Sequence, residues 1–167
     1  MPSHRYRAAI LTISDSRSAG TREDTASPAL RTVLTGAGFV VAQAQLVPDE
    51  HDRIVDALVR LAAISDFLIT TGGTGLSPRD VTPEATLEVC DREIPGIAEL
   101  IRSEGLKMTP YSALSRGVCG SRNETLIVNL PGNPAGAEDS LRTILHLIPH
   151  ALDLLRGQTE HSQGSPQ

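Results

Sequence analysis

The chain has 167 residues and a formal charge of −5, with no lysine- or arginine-rich run, which argues against a nucleic-acid partner. Tyr6, Phe39, Phe67 and Tyr111 are too few and too scattered to make a base-stacking platform, and no apolar stretch is long enough for a membrane span. Cys90 and Cys119 are widely separated and the first residues lack a signal-type apolar region, so the expectation is a cytoplasmic protein with reduced thiols and one compact domain.

Ala8–Ile13 reads as a first strand. Ser27-Pro28 looks like a cap and first turn opening a helix through Leu34, stopped by Gly36 and Gly38. Phe39–Val47 reads as a second strand. Over Asp52–Ala63, Ile54, Val55, Leu58, Leu61 and Ala62 follow helical spacing, with Arg53, Asp56 and Arg60 on the opposite face. Phe67–Thr70 is a third strand, short and wholly apolar until its last residue, as buried parallel strands are. Further cap-then-proline starts occur at Thr82-Pro83 and Thr109-Pro110, with a helix over Ile97–Ser103 between them. Gly117–Arg122 and Thr125–Leu130 flank Asn123-Glu124 as a hairpin. Asn133-Pro134 opens the last helical stretch, interrupted near Pro149 and ended by Gly157. This order predicts an α/β fold: a single three-layer domain over residues 7–157, with a mostly parallel sheet, one antiparallel strand and helices on both faces. Residues 158–167 are polar and read as a disordered tail whose removal leaves fold and activity unchanged.

In such sheets ligands gather beyond the carboxyl ends of the strands. Four strand ends deliver small, acidic or glycine-rich residues there: Ser14-Asp15-Ser16, Pro48-Asp49-Glu50, the Thr70–Gly75 loop with Arg79-Asp80, and Pro131-Gly132-Asn133-Pro134. Thr71, Gly72, Gly73, Thr74 and Gly75 suit a phosphate cradle, because glycines let main-chain N–H groups approach an anion and threonine hydroxyls complete the shell. A valine at Gly73 is expected to block phosphate while sparing the fold. Asp80 is a carboxylate of the kind that shares Mg2+ with phosphate oxygens. Simpler roles exist for each: an Asx-turn at Asp15, a helix N-terminus at Asp49 and Glu50, turn support at Asp80, a helix cap at Asn133, a surface cation at Arg116. The histidines form no metal set. His146 and His150 share a helical spacing that Pro149 interrupts.

These motifs resemble the molybdopterin adenylyltransferases of molybdenum cofactor biosynthesis, the MogA/MoaB-like proteins and the G domains of gephyrin-like proteins. The matching residues are Ile13–Asp15, Pro48–Glu50, Thr70–Gly75, Arg79–Thr86, Asp91–Gly96, Leu114–Arg116 and Leu130–Pro134, spread over nearly all of residues 7–156. At Ala135 the chain departs from members that carry a basic residue after the Pro-Gly-Asn-Pro run. The resemblance implies a homotrimer whose substrates are molybdopterin and ATP, with Mg2+ as cofactor. It implies attack of the molybdopterin phosphate on the α-phosphate of ATP, giving adenylyl-molybdopterin and pyrophosphate. By motif, Asp49 and Asp80 are the catalytic and metal-holding carboxylates. Thr71–Gly75, Ser14 and Asp15 belong to the nucleotide side; Ser115, Arg116, Pro131, Gly132, Asn133 and Pro134 belong to the pterin side. A molybdenum-insertion protein is the implied acceptor of product. A molybdopterin-binding protein with little or no transfer activity, or a trimeric interaction module, stays open at this point.

Overall fold

The structure, a computed structural model, describes residues 5–158, so nearly all of the expected tail lies outside the described residues. Six strands form one sheet: β1 (Arg7–Ile13), β2 (Val40–Val47), β3 (Phe67–Thr71), β4 (Arg92–Glu93), β5 (Cys119–Arg122) and β6 (Thr125–Leu130), in the order β2-β1-β3-β6-β5-β4. β2, β1, β3 and β6 run parallel, and β5 is antiparallel to both its neighbours. The single antiparallel strand is therefore β5, turned back at Asn123 with a φ of 51°. The helices are α1 (Asp15–Ser18), α2 (Ala26–Gly36), α3 (His51–Ala62), α4 (Thr82–Val89), α5 (Pro95–Gly105), α6 (Pro134–Ile144) and α7 (Ile148–Leu155), with 3-10 turns at Pro110–Leu114 and Leu145–Leu147.

Alternation along the central strands makes the three layers. Ala8 and Ile10 of β1, Phe67 and Ile69 of β3, and Leu126, Val128 and Leu130 of β6 share a core with residues of α2, α5, α6 and α7. Ala9, Leu11, Ile13, Leu68 and Ile127 face the other way, onto α3 and α4. These strands are buried on both faces, so they are apolar at nearly every position.

β2 differs, being an edge strand exposed along most of its length, with Gln43 and Gln45 breaking its apolar pattern. It starts at Val40, one residue later than the sequence suggests. The two-residue β4 and the single turn of α1 carry too short a pattern to be read in advance. Residues 110–114 form a 3-10 turn rather than an α-helix. Ser27 does not cap α2; Asp24 accepts its N–H instead, at 3.1 Å. Thr82 and Pro83 both lie inside α4, and Thr82 is fully buried. The break before Pro149 is real: α6 passes through a 3-10 turn, and Pro149 sits in the first turn of α7, where its missing N–H costs nothing.

From β1 the chain goes first to β2 on one side and then to β3 on the other, which puts the reversal of strand order between β1 and β3. Their carboxyl ends open the crevice in which such folds bind ligands. The opposite, amino edge is tied shut by Tyr6 donating to Asp153, Arg156 pairing with Asp66 at 2.7 Å, and the Arg156 guanidinium lying 4.7 Å from the Tyr6 ring centre. Among the described residues no helix is long and apolar enough to cross a membrane.

Candidate active site

β3 ends in Thr70-Thr71, and the chain then turns sharply at Gly72 and Gly73, with φ of 102° and 69°. A side chain is strained at both glycines. A Cβ at Gly72 would lie 2.2 Å from the Ile13 carbonyl oxygen, and one at Gly73 would lie 2.2 Å from Thr82 Oγ1. The Thr82 hydroxyl donates to the Gly72 carbonyl at 2.9 Å, while Thr82 N–H donates to the Gly73 carbonyl at 3.2 Å. The start of α4 thereby fixes the turn from below. Among the described residues, the N–H groups of Gly73, Thr74 and Gly75 donate to no acceptor. Consecutive free amides in a left-handed turn form the concave donor array that takes an anion.

Two carboxylates stand over this loop. Asp49 Oδ1 is 3.1 Å from the point a Gly73 Cβ would occupy, and Asp80 Oδ2 is 2.9 Å from the corresponding point on Gly75. Asp49 is held from the start of α1, since its Oδ2 accepts Asp15 N–H at 2.9 Å and its own N–H donates to Asp15 Oδ1 at 3.0 Å. Asp80 closes a turn by accepting Ser77 N–H at 3.0 Å, so the structural role foreseen for it is realised beside its position at the loop. Burial raises the Asp49 carboxyl above its usual range, and the negative charges of Asp15 and Asp80 push the same way. Asp15 is shifted the other way: Arg79 makes a two-point contact to it, Nε and NH2 each at 2.9 Å, which holds its carboxyl low.

Arg116 is not a free cation. Its Nε and NH2 donate to the Gly75 and Asp80 carbonyls at 2.8 and 2.7 Å, and NH1 pairs with Glu84. Its N–H also donates to the Thr74 carbonyl at 2.8 Å. It braces the outside of the loop. The Ser115 hydroxyl accepts Gly117 N–H at 3.3 Å in a local turn. The Pro131–Pro134 turn is stitched to the loop by Thr71 Oγ1 donating to the Pro131 carbonyl at 2.6 Å, and a Cβ on Gly132 would lie 3.2 Å from Gly72 Cα. Asn133 caps α6 by accepting Gly136 N–H at 3.2 Å. Ser14 accepts Arg17 N–H at 3.2 Å and so opens α1.

Residues 9–150 match the sequence family described as "probable molybdopterin binding domain". The chain belongs to that family. This molybdopterin-binding-domain chain is 39% identical over 152 residues to a molybdopterin adenylyltransferase of Helicobacter pylori J99, covering 89% of the chain and 86% of the relative. It is 42% identical over 150 residues to the Drosophila melanogaster molybdenum cofactor synthesis protein cinnamon, covering 87% of the chain but only 25% of that longer protein. Its fold matches the crystal structure of the molybdopterin biosynthesis enzyme MoaB from Thermus thermophilus with a TM-score of 0.86 and 53% identity, over 91% of the chain and 97% of the other.

The motif residues at the exits of β1, β2, β3 and β6 thus meet at one edge. What the sequence alone did not bring forward is Arg79 on Asp15, Thr82 under the loop, and Arg17, whose guanidinium nitrogens NH1 and NH2 lie 3.4 and 3.5 Å from the Gly132 carbonyl oxygen. Arg79 lies inside the Arg-Asp motif, but its partner is 64 residues away and no spacing rule connects them.

Proposed function

We propose that the protein is a molybdopterin adenylyltransferase of molybdenum cofactor biosynthesis, using Mg-ATP to adenylylate molybdopterin. The observation that carries this reading is the juxtaposition of three free main-chain amides, at Gly73, Thr74 and Gly75, with the Asp49 and Asp80 carboxylates in a chain of this family. In the proposed reaction a molybdopterin phosphate oxygen forms a bond to the α-phosphorus of ATP. The bond from that phosphorus to the bridging oxygen breaks, and pyrophosphate departs. Such transfers need positioning and charge stabilisation more than covalent side-chain chemistry.

Two hard carboxylates, one of them raised by burial and crowding, fit a divalent cation. Mg2+ takes one or two carboxylates and completes its shell with phosphate and water, so a pair of carboxylates beside a phosphate loop suits it. Asp49 and Asp80 would hold it, and when bound it would neutralise charge developing on the phosphate oxygens. The loop amides, with Thr71 and Thr74 beside them, orient phosphate. Asp15 holds Asp49 in place, and Ser14 opens the turn that carries Asp15. On the pterin side, Pro131, Gly132, Asn133 and Pro134 form the wall, with Ser115 at its margin, and Arg116 acts through the loop it braces.

We also infer a cytoplasmic homotrimer that passes its product to a molybdenum-insertion protein. Association is supported by an exposed apolar run at Leu106, Met108, Tyr111 and Leu114. The deciding experiment is release of pyrophosphate from Mg-ATP in the presence and absence of molybdopterin. Molybdopterin-dependent release with formation of the adenylyl product is the expected result. Tight molybdopterin binding without pyrophosphate would reduce the protein to a carrier.

A further inference from the structure

Arg17 carries a charge that the protein leaves unanswered. Its residue is 7% exposed, and its Nε is buried with no hydrogen-bond partner among the described residues. No carboxylate among the described residues lies within ion-pairing distance of it. Its only side-chain acceptor there is the Gly132 carbonyl, at 3.4 and 3.5 Å, beyond the usual range of an N–H···O bond. A guanidinium has five N–H donors, and burying it unpaired is expensive. α1 follows β1, Gly132 follows β6, and β3 lies between them, so the side chain reaches across the carboxyl end of β3 where Thr71 and Gly72 meet the Pro131–Gly132 turn.

We infer that Arg17 is a phosphate-binding residue, its buried guanidinium completed by oxygens of a phosphate monoester or anhydride seated at the Pro131–Asn133 turn. Planar, weakly hydrated and always charged, the guanidinium matches a phosphate with two parallel bonds, which the ammonium of lysine does not. The inference deepens the adenylyltransferase reading and rests on it for the identity of the ligand. Molybdopterin and ATP both bring phosphate to this edge, and the experiment separates them.

The test uses Arg17→Met and Arg17→Lys in the full chain, with thermal melting in the absence of ligand. Binding of molybdopterin, of ATP and of inorganic pyrophosphate is then measured by calorimetry. Removing an unpaired buried charge leaves the Arg17→Met melting temperature equal to or above that of the parent. Its affinity for one phosphate ligand falls at least about tenfold, the loss of one charge-assisted contact. Loss confined to molybdopterin assigns the pterin phosphate; loss confined to ATP and pyrophosphate assigns the nucleotide. Arg17→Lys keeps the charge without the fork and is expected to lose affinity at unchanged stability, so the test survives a Met variant that fails to fold. Parental affinity for all three probes in a folded variant overturns the inference, since Arg17 is then a strap on the Gly132 carbonyl. That outcome, with a parent protein that adenylylates, leaves the proposed function standing. Arg17-dependent pyrophosphate binding in a parent that releases no pyrophosphate keeps the inference and defeats the function.

Discussion

Asp49 sits in the most crowded electrostatic position of the edge, and its substitution separates chemistry from stability. Asp49→Asn keeps the acceptor for Asp15 N–H while removing the charge. Because the folded carboxyl is raised above its unfolded value, the ionised form is a liability that appears as pH rises through the unfolded value, about 4. The variant is expected to melt above the parent at pH 7 and level with it near pH 3, as followed by circular dichroism. Adenylylation should fall by orders of magnitude in Asp49→Asn and in Asp80→Asn, since metal charge stabilisation is worth several kcal/mol and each ~1.4 kcal/mol is tenfold. Molybdopterin binding should persist in both. Full single-turnover rates in Asp80→Asn would remove it from the metal site. The sequence identified Gly73 as a loop residue but not its neighbour. Thr82 fills the space a side chain would need, and the positive φ disfavours any Cβ, so Gly73→Val should cost about 1–3 kcal/mol or more of stability. The expectation that the fold is spared is thereby revised, and a denaturant melt of the variant checks it.

Among the elements, those buried on both faces were the legible ones. β1, β3 and β6 are short apolar runs between turn signals, and α3 carries a clean apolar stripe. β4 and the exact start of β2 were not, because pairing across the sheet defines them rather than local pattern, and the single turn of α1 is too short to show a helical period. Asn129 shows the same limit inside a strand that was found. It is a buried polar residue in β6, accepting Val118 N–H at 3.1 Å and donating to Thr70 and Thr86 hydroxyls at 3.0 and 2.9 Å, so it joins β6 to β3, α4 and the residue that leads into β5. Asn129→Leu should cost about 1–3 kcal/mol or more by orphaning those groups, measured as a fall in urea midpoint. At the opposite edge, burial first and Asp153 second raise the Tyr6 phenol to about 12. The protonated form is favoured, so its stabilisation is complete below about pH 10 and is lost as pH rises through the folded value. Ultraviolet titration should contain a phenol component near 12 that Tyr6→Phe removes.

At the scale of the whole molecule, the exposed apolar run on the α5 side is the feature that a lone subunit leaves unexplained. Met108 and Tyr111 are 78% and 76% exposed, close together in the chain, beside Leu106 and Leu114. If they meet other copies, light scattering of the parent gives a trimer mass and Met108→Glu with Tyr111→Glu shifts it toward the monomer. A monomer at every working concentration would defeat the trimer.

The tether at the amino edge has one more implication. Tyr6, just before β1, and Asp153, in α7, touch each other, and both lie at the end of the sheet away from the glycine loop. The two ends of the described chain thus come together, on the side away from the proposed site. Flanking sequence can be spliced on there like a handle, and the Asn123 turn at that same end offers a place to re-cut the chain into a circular permutant with the glycine-loop edge untouched. A body wired in this way is portable, able to serve alone or as one segment of a longer machine.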